Sequence, residues 1–411
     1  MNRYTESTSM QEPIVKSAVL RFFLLVFFIS SWGISTVQAD EGHRTAKNTN
    51  KETVNPQPVT RNTDPAARNP EQSANHEEKA EKFNAGDMII GHIVDAYEWH
   101  IMEIGKTVVS IPLPVILIYN GKLDIFMSTK FHHGEVAYNG FKIEDKGAKK
   151  GKIVKVKEGT MEADPNAGRL IDLSITKTVF AVFISITLLL IIFISVARSY
   201  RKNEGKAPSG LQSLIEPLII FVRDDIAKTA IGAKYEKYMP YLLTLFFFIF
   251  LNNLMGLIPF FPFGANVTGN LAVTGIMAVF TFLITTFSAN KNYWKHIYNA
   301  PGVPWWLKFP IPLMPFVELM SVFTKPFVLM VRLFANMSAG HIIILGFMSL
   351  IFIFGNIKGS LGIAVAPVSV AFGIFMGFLE LLVAFIQAYV FTLLSALYFG
   401  MAMEEHNTAE H

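Results

Sequence analysis

The chain has 411 residues, 51% of them hydrophobic and only 17% charged, a balance that excludes a charge-rich disordered chain and points to a protein with the bilayer as part of its solvent. It has no cysteine, which excludes disulfides, thiolate metal sites and cysteine nucleophiles. The net charge of +4 is small and the basic residues fall in loops, so nothing indicates a nucleic-acid partner.

Arg3, Lys16 and Arg21 precede an apolar core, Phe22 to Ile29, and small residues leading to Val37-Gln38-Ala39. That layout predicts a signal peptide over 1–39, cleaved after Ala39, which would put the mature N-terminus outside the cytoplasm. An uncleaved anchor helix is the alternative, because Val19 to Val37 nearly reaches span length. Residues 40–82 are polar and almost free of large apolar side chains; they cannot bury enough surface to offset chain entropy and are predicted as a disordered linker.

Phe83 changes the character of the chain. Thr107 to Tyr119 reads as strands, Asn120-Gly121 as a hairpin turn, and Ile153 to Val156 alternates with lysines, so a small, mostly β extracytoplasmic domain is predicted over 83–172. His92, His100, His132 and His133 have no spacing that matches an established metal site; surface or packing roles suit them.

Residues 173–403 are predicted as an all-α polytopic membrane domain with about five transmembrane helices. The spans are Lys177 to Val196, Tyr238 to Pro259, Asn270 to Ser288, the stretch Glu318 to Phe354, and Leu361 to Met403. Leu211 to Ala227 is too polar to span, with Glu216, Pro217, Arg223 and Asp224, and is expected as an interfacial amphipathic helix. Trp294, Trp305 and Trp306 are candidate interface anchors. Basic residues concentrate in loops 198–237 and 291–308, which assigns those loops and a short tail, 404–411, to the cytoplasm and the N-terminal domain to the outside. The last two apolar stretches run to about 60 Å as helix against a hydrocarbon core of about 30 Å. They must tilt steeply or break, and Pro326, Pro367, Gly373 and Gly377 permit bends.

Arg332 lies inside the fourth span. An arginine there costs about 2.5 to 3.5 kcal/mol on insertion scales, and guanidinium cannot escape that cost by losing its proton. Glu318 and Lys325 precede it at helical spacing and fall within about 40° of it, while Asn336, Ala335 and Ala339 share its side and Gly340 lies at the margin. A face so small-sided suits close approach of a partner; a carboxylate within the same subunit is the competing explanation. Glu380 and Gln387 share one face of the last span, with Ala384 between them. His341 falls on the opposite face of its helix from Arg332 and points back into the subunit.

These residues resemble a known family. Lys325-Pro326 and the run from Arg332 through Leu333, Phe334, Ala335, Asn336, Met337, Ser338, Ala339 and Gly340 to His341 are similar to the signature of subunit a of the bacterial F-type ATP synthase. So are Gln387-Ala388-Tyr389-Val390-Phe391 with Leu394 to Tyr398 and the terminal Glu404-Glu405-His406, and the earlier Asn253-Leu254-Met255-Gly256-Leu257-Ile258-Pro259, although Gly256 stands where other members often carry an acid. The resemblance covers Leu211 to His406.

It implies a non-catalytic, proton-translocating stator subunit of the inner membrane, with the last two helices packed as a tilted hairpin against a rotor. Its expected partners are a ring of c subunits, peripheral stalk b subunits and, indirectly, the F1 ATPase head. Arg332 would be the fixed charge, with Glu318, Asn336, His341, Glu380 and Gln387 as half-channel candidates; family members place histidine and acid at the two corresponding positions in either order. No G-x-x-x-x-G-K-[ST] motif occurs, so ATP chemistry belongs to partners, and no cofactor is expected. A secondary transporter using Arg332 to bind an anionic solute is the alternative, but such proteins often show matched, interrupted halves and none is evident between Lys177 and Met403.

Overall fold

A computed structural model describes residues 85–403 apart from 105–106, 146–148, 158, 204–205, 259–262 and 299–312. The predicted signal peptide, linker and tail, together with Pro259, Trp305 and Trp306, lie outside the described residues.

Helix α1 (Ala85–Ile93) leads into a β module: β1 (Glu98–Ile104), β2 (Thr107–Pro112), β3 (Pro114–Tyr119), β4 (Lys122–Met127), β5 (Phe141–Ile143), β6 (Ile153–Lys155) and β7 (Leu170–Asp172). Strands β3 and β4 pair in register, Tyr119 opposite Lys122. Asn120 and Gly121 between them take φ of 49° and 78°, the doubly left-handed turn whose twist matches a two-residue hairpin. Period-two patterning places Val115 and Leu117 inward, where both are fully buried, against Tyr97, Phe126, Phe131, Phe141 and Ile153. The predicted strand run 107–119 is divided at Leu113, whose amide donates to Ser128 Oγ at 3.1 Å while its carbonyl accepts from Ser128 N at 3.0 Å. Among the described residues the strands form one three-stranded and two two-stranded antiparallel sheets.

Five helices among the described residues are long and apolar enough to cross a membrane: α2 (Lys177–Lys202), α4 (Met239–Leu257), α5 (Leu271–Ser288), α7 (Leu313–Ile357) and α8 (Gly359–Met403). They coincide with the five predicted spans. Between α2 and α4, α3 (Leu211–Phe221) runs on through a π-helical stretch, Val222–Lys228, to Ile231. Its Ile215, Val222, Ile226 and Ala227 are buried against the spans, whereas Leu211, Leu214 and Ile220 are exposed, as the amphipathic pattern requires. The short α6 (Lys291–Tyr298) follows α5.

Helix α4 is the hub of the bundle, with Leu242, Leu245, Phe246, Phe248 and Ile249 buried almost completely between α2 and α8. Helices α7 and α8 pack along each other as an antiparallel hairpin turning at Lys358. Close approach at the turn rests on Gly362, where a Cβ would stand 2.8 Å from the Cα of Gly355. Each helix of this pair is continuous for 45 residues, through Pro326 in one and Pro367 in the other. At about 1.5 Å per residue each is roughly twice as long as a hydrocarbon core is thick. Of the two solutions open to such lengths, the chain does not take the break.

Candidate functional site

The α7 helix sorts its residues by face. Val322, Leu329, Leu333 and Met337 are buried at helical spacing, which anchors one stripe on α5 and α8. Arg332, Ala335, Asn336 and Ala339 are all exposed on the other side. Among the described residues no carboxylate forms an ion pair with Arg332, so the guanidinium and the Asn336 amide stand together on an open, small-sided helix face.

Glu318 and Lys325 do not stay on that face. Both are half-buried: the Lys325 ammonium sits 5.7 Å from the centre of the Tyr398 ring on α8, and Glu318 lies near Tyr293 of α6, whose phenol is pushed above its ordinary pKa first by burial and then by that carboxylate. Seven residues fall about 20° short of two full turns, and over two such steps the drift carries these side chains from the open face toward neighbouring helices.

His341 continues the inward stripe one turn beyond Met337. Its Nδ1 lies 3.8 Å from Glu380 Oε1 on α8, within ion-pair range but beyond a direct hydrogen bond. Glu380 is only 5% exposed, and both of its carboxyl oxygens are buried without a hydrogen-bond partner among the described residues. The local sequence makes room for this pair. A Cβ on Gly340 would run into the Glu380 carboxylate, and one on Gly256 of α4 would come to 3.4 Å from His341 Nε2.

A polar lining surrounds the two residues. Asn253 of α4, fully buried, donates from Nδ2 to the Ala384 carbonyl at 3.2 Å and accepts from Thr268 Oγ1 at 2.6 Å. It thereby ties α4, the 258–270 connection and α8 together. Ser338 Oγ donates to the Gly269 carbonyl at 3.3 Å. Gln387 is buried on α8, and Ala384 between it and Glu380 is fully buried. Sequence reasoning brought His341 and Glu380 to one site but gave Asn253, Thr268 and Ser338 no part in it. For Asn253 a signal existed, since an amide inside an apolar span demands partners; Thr268 lies in a connection whose path only the fold decides.

Among the described residues no group of three or more His, Cys, Asp or Glu is placed to hold a metal ion. His100, His132 and His133 are exposed, and His133 Nδ1 pairs with Glu98 Oε2 at 2.7 Å.

Comparison with known proteins divides the chain where its character changes. The family described as ATP synthase A chain matches residues 179–400, more than half of the chain, including Glu318, Arg332, Asn336, His341, Glu380 and Gln387. A family described as a domain of unknown function (DUF8433) matches residues 88–173, the β module. Among curated proteins, ATP synthase subunit a of Chloroherpeton thalassium is 45% identical over 248 residues, 58% of this chain and 70% of that one. ATP synthase subunit a 2 of Chlorobaculum tepidum is 48% identical over 237 residues, 56% of this chain and 64% of its own length. ATP synthase subunit a of an Anaeromyxobacter strain is 42% identical over 248 residues, 57% of this chain and 56% of its own. The matched residues hold the five membrane-length helices but for the first two residues of α2 and the last three of α8, together with Arg332, Asn336, His341, Glu380 and Gln387, and on that footing the chain belongs to the ATP synthase A chain family.

Proposed function

We propose that the chain is the stator subunit through which an F-type ATP synthase passes protons across a bacterial inner membrane. The observation that carries this reading is Arg332, exposed on α7 with no carboxylate partner among the described residues, while the titratable pair His341–Glu380 lies on the helix's inner side. A permanent charge held at an open apolar face is costly unless a carboxylate supplied by another chain comes to meet it. The rotor c subunits are that partner in this reading; stalk b subunits hold the stator and the F1 head does the ATP chemistry.

A rotor carboxylate facing the guanidinium is stabilised in its ionised form and releases its proton to one side. Beyond Arg332 it is reprotonated from the other side before it turns to lipid. His341, Glu380 and the amides of Asn253, Asn336 and Gln387 line two offset half-channels, and Arg332 keeps them from joining because it does not give up its own proton. The membrane potential drives the cycle at about 2.3 kcal/mol per charge per 100 mV. The β module and the α7/α8 turn lie outside, and the C-terminus is cytoplasmic.

The test is Arg332→Ala in the assembled complex. Coupled ATP synthesis and ATP-driven proton pumping in membrane vesicles are expected to vanish with the complex still assembled. Pumping at the normal rate overturns the reading.

A further inference from the structure

A half-open cavity of about 380 Å³ lies at the end of the bundle away from the β module, where α4 begins and α5 and α8 end. It has no part in the proton-translocation reading. A 3₁₀ segment, Gly232–Lys237, leads into α4 and supplies Lys234, Glu236 and Lys237 to the lining, while Ser288 ends α5, Asn290 precedes α6 and Met403 ends α8. Asn290 ties two of these walls together: its backbone amide donates to the Ala402 carbonyl at 2.9 Å and its Nδ2 to the Met403 carbonyl at 3.0 Å. Tyr238, 3% exposed, lines the cavity as well and stacks on Phe399 of α8, ring centres 4.9 Å apart. The walls are therefore packed helix ends.

The lining carries both signs of charge. Glu236 and Lys237 are exposed in it, and among the described residues neither forms an ion pair. The Lys237 ammonium lies 5.3 Å from the centre of the Tyr238 ring, at the start of α4, where the helix dipole favours an anion. Helices α5 and α8 present their C-terminal ends to the same space, and those ends favour a cation. A simple anion would meet the Glu236 carboxylate there, and a simple cation the Lys237 ammonium. A ligand that carries a phosphate and a primary ammonium a few bonds apart satisfies both.

Position selects the source of that ligand. Helices α4 and α5 are of membrane length, so the end they share stands at the level of the bilayer headgroups. Phe287, beside Ser288 in the last turn of α5, is 85% exposed, an aromatic surface suited to the boundary between acyl chains and headgroups. The volume is at the low end of the about 300 to 1,000 Å³ usual for small-ligand sites, enough for a headgroup and not for the chains of a lipid. We propose that this cavity binds the phosphoethanolamine headgroup of a membrane phospholipid, with Lys237 on the phosphate and Glu236 on the ammonium. The bound headgroup bridges the ends of α4, α5 and α8, and it does so whether or not the chain passes protons.

The test uses the purified full chain in detergent, offered equal amounts of phosphatidylethanolamine, phosphatidylcholine and phosphatidylglycerol, with the lipid retained on repurification measured. Phosphatidylethanolamine should be retained about tenfold over each of the others, the worth of a hydrogen bond to a charged group: choline has no N–H for Glu236, and glycerol has no ammonium. Glu236→Gln should erase the preference over phosphatidylglycerol, and Lys237→Gln should lower retention of all three. Both side chains are exposed, so neither change disturbs the core. Equal retention of the three lipids by the parent chain, or an unchanged ranking in Glu236→Gln, overturns the inference. Soluble glycerophosphoethanolamine and inorganic phosphate supply the second arm. Each should displace the bound lipid far less well than short-chain phosphatidylethanolamine at the same concentration; equal displacement would overturn the lipid assignment in favour of a free phosphate ester.

Discussion

His341 Nδ1 on α7 stands 3.8 Å from Glu380 Oε1 on α8, the one ion-pair contact between the helices of the hairpin among the described residues. Each of the two offers the other a polar partner inside an otherwise apolar hairpin. His341→Ala or Glu380→Ala should therefore slow proton passage while leaving assembly intact. The double exchange His341→Glu with Glu380→His should recover much of the loss, because the pair is kept and only its order changes. Pumping rates in vesicles carrying each single exchange and the double decide it: a double variant as impaired as the two singles combined would show that the residues act independently.

Gly340 is one of the positions at which the hairpin has little room to spare. A Cβ there collides with the Glu380 carboxylate, so Gly340→Ala should cost about 1 to 3 kcal/mol, the usual range for overpacking, and lower the melting temperature of the purified complex. Adding Glu380→Ala removes the obstacle. The double variant should regain thermal stability without regaining proton flow; if it melts as low as Gly340→Ala alone, the clash is not the cause.

Orientation can be read by labelling. Ser209 and Ile258 are both exposed and sit at opposite ends of the bundle. Ile258 is preferable to Gly264, whose φ of 83° strains any other residue. With no native cysteine to interfere, Ser209→Cys should react with an impermeant reagent only from the cytoplasmic side and Ile258→Cys only from outside. Reaction of both from one side would refute the five-span topology.

The β module carries a pH signature of its own. Tyr97, 8% exposed, donates to Asp172 Oδ2 at 2.5 Å, and its phenol is pushed well above the ordinary value, first by burial and then by the Asp172 charge. A tyrosine raised in the folded state contributes stability that is complete below its unfolded pKa of about 10 and is lost as pH rises toward the folded value. Module stability should fall above that pH in the parent protein and fall less in Tyr97→Phe, which pays for the flatter profile with the lost hydrogen bond, about 1.5 to 3 kcal/mol at neutral pH for a charged acceptor. Denaturant melts across the alkaline range measure both, and identical pH profiles for the two proteins would exclude Tyr97 as the cause.

The sequence by itself determined the elements and the chemistry that had to be explained. Apolar runs fixed the five membrane-length helices, because a bilayer admits backbone only as closed hydrogen-bonded elements of a set length. Asn120-Gly121 fixed the β3/β4 turn, because those two residues tolerate positive φ where others do not. Helical spacing put Arg332 with Asn336 on one side of α7 and His341 on the other, since 3.6 residues per turn is a local property that needs no knowledge of neighbours.

What only the tertiary structure decided is where distant residues meet. Contact between Glu380 and Gly340 depends on the offset of two long helices, set by small residues at the turn such as Gly362. The turning of Glu318 and Lys325 toward Tyr293 and Tyr398 depends on which helices flank α7. The partners of Asn253 came from a connection and a helix far away in sequence, and the seating of the module on α2 came from Trp99, packed on Phe180, and Asp95, which accepts from Thr178 N, residues that carry no pattern of their own. Period and length are written in the order of residues; packing offsets arise from the sum of many side-chain shapes, and no short stretch of sequence contains that sum.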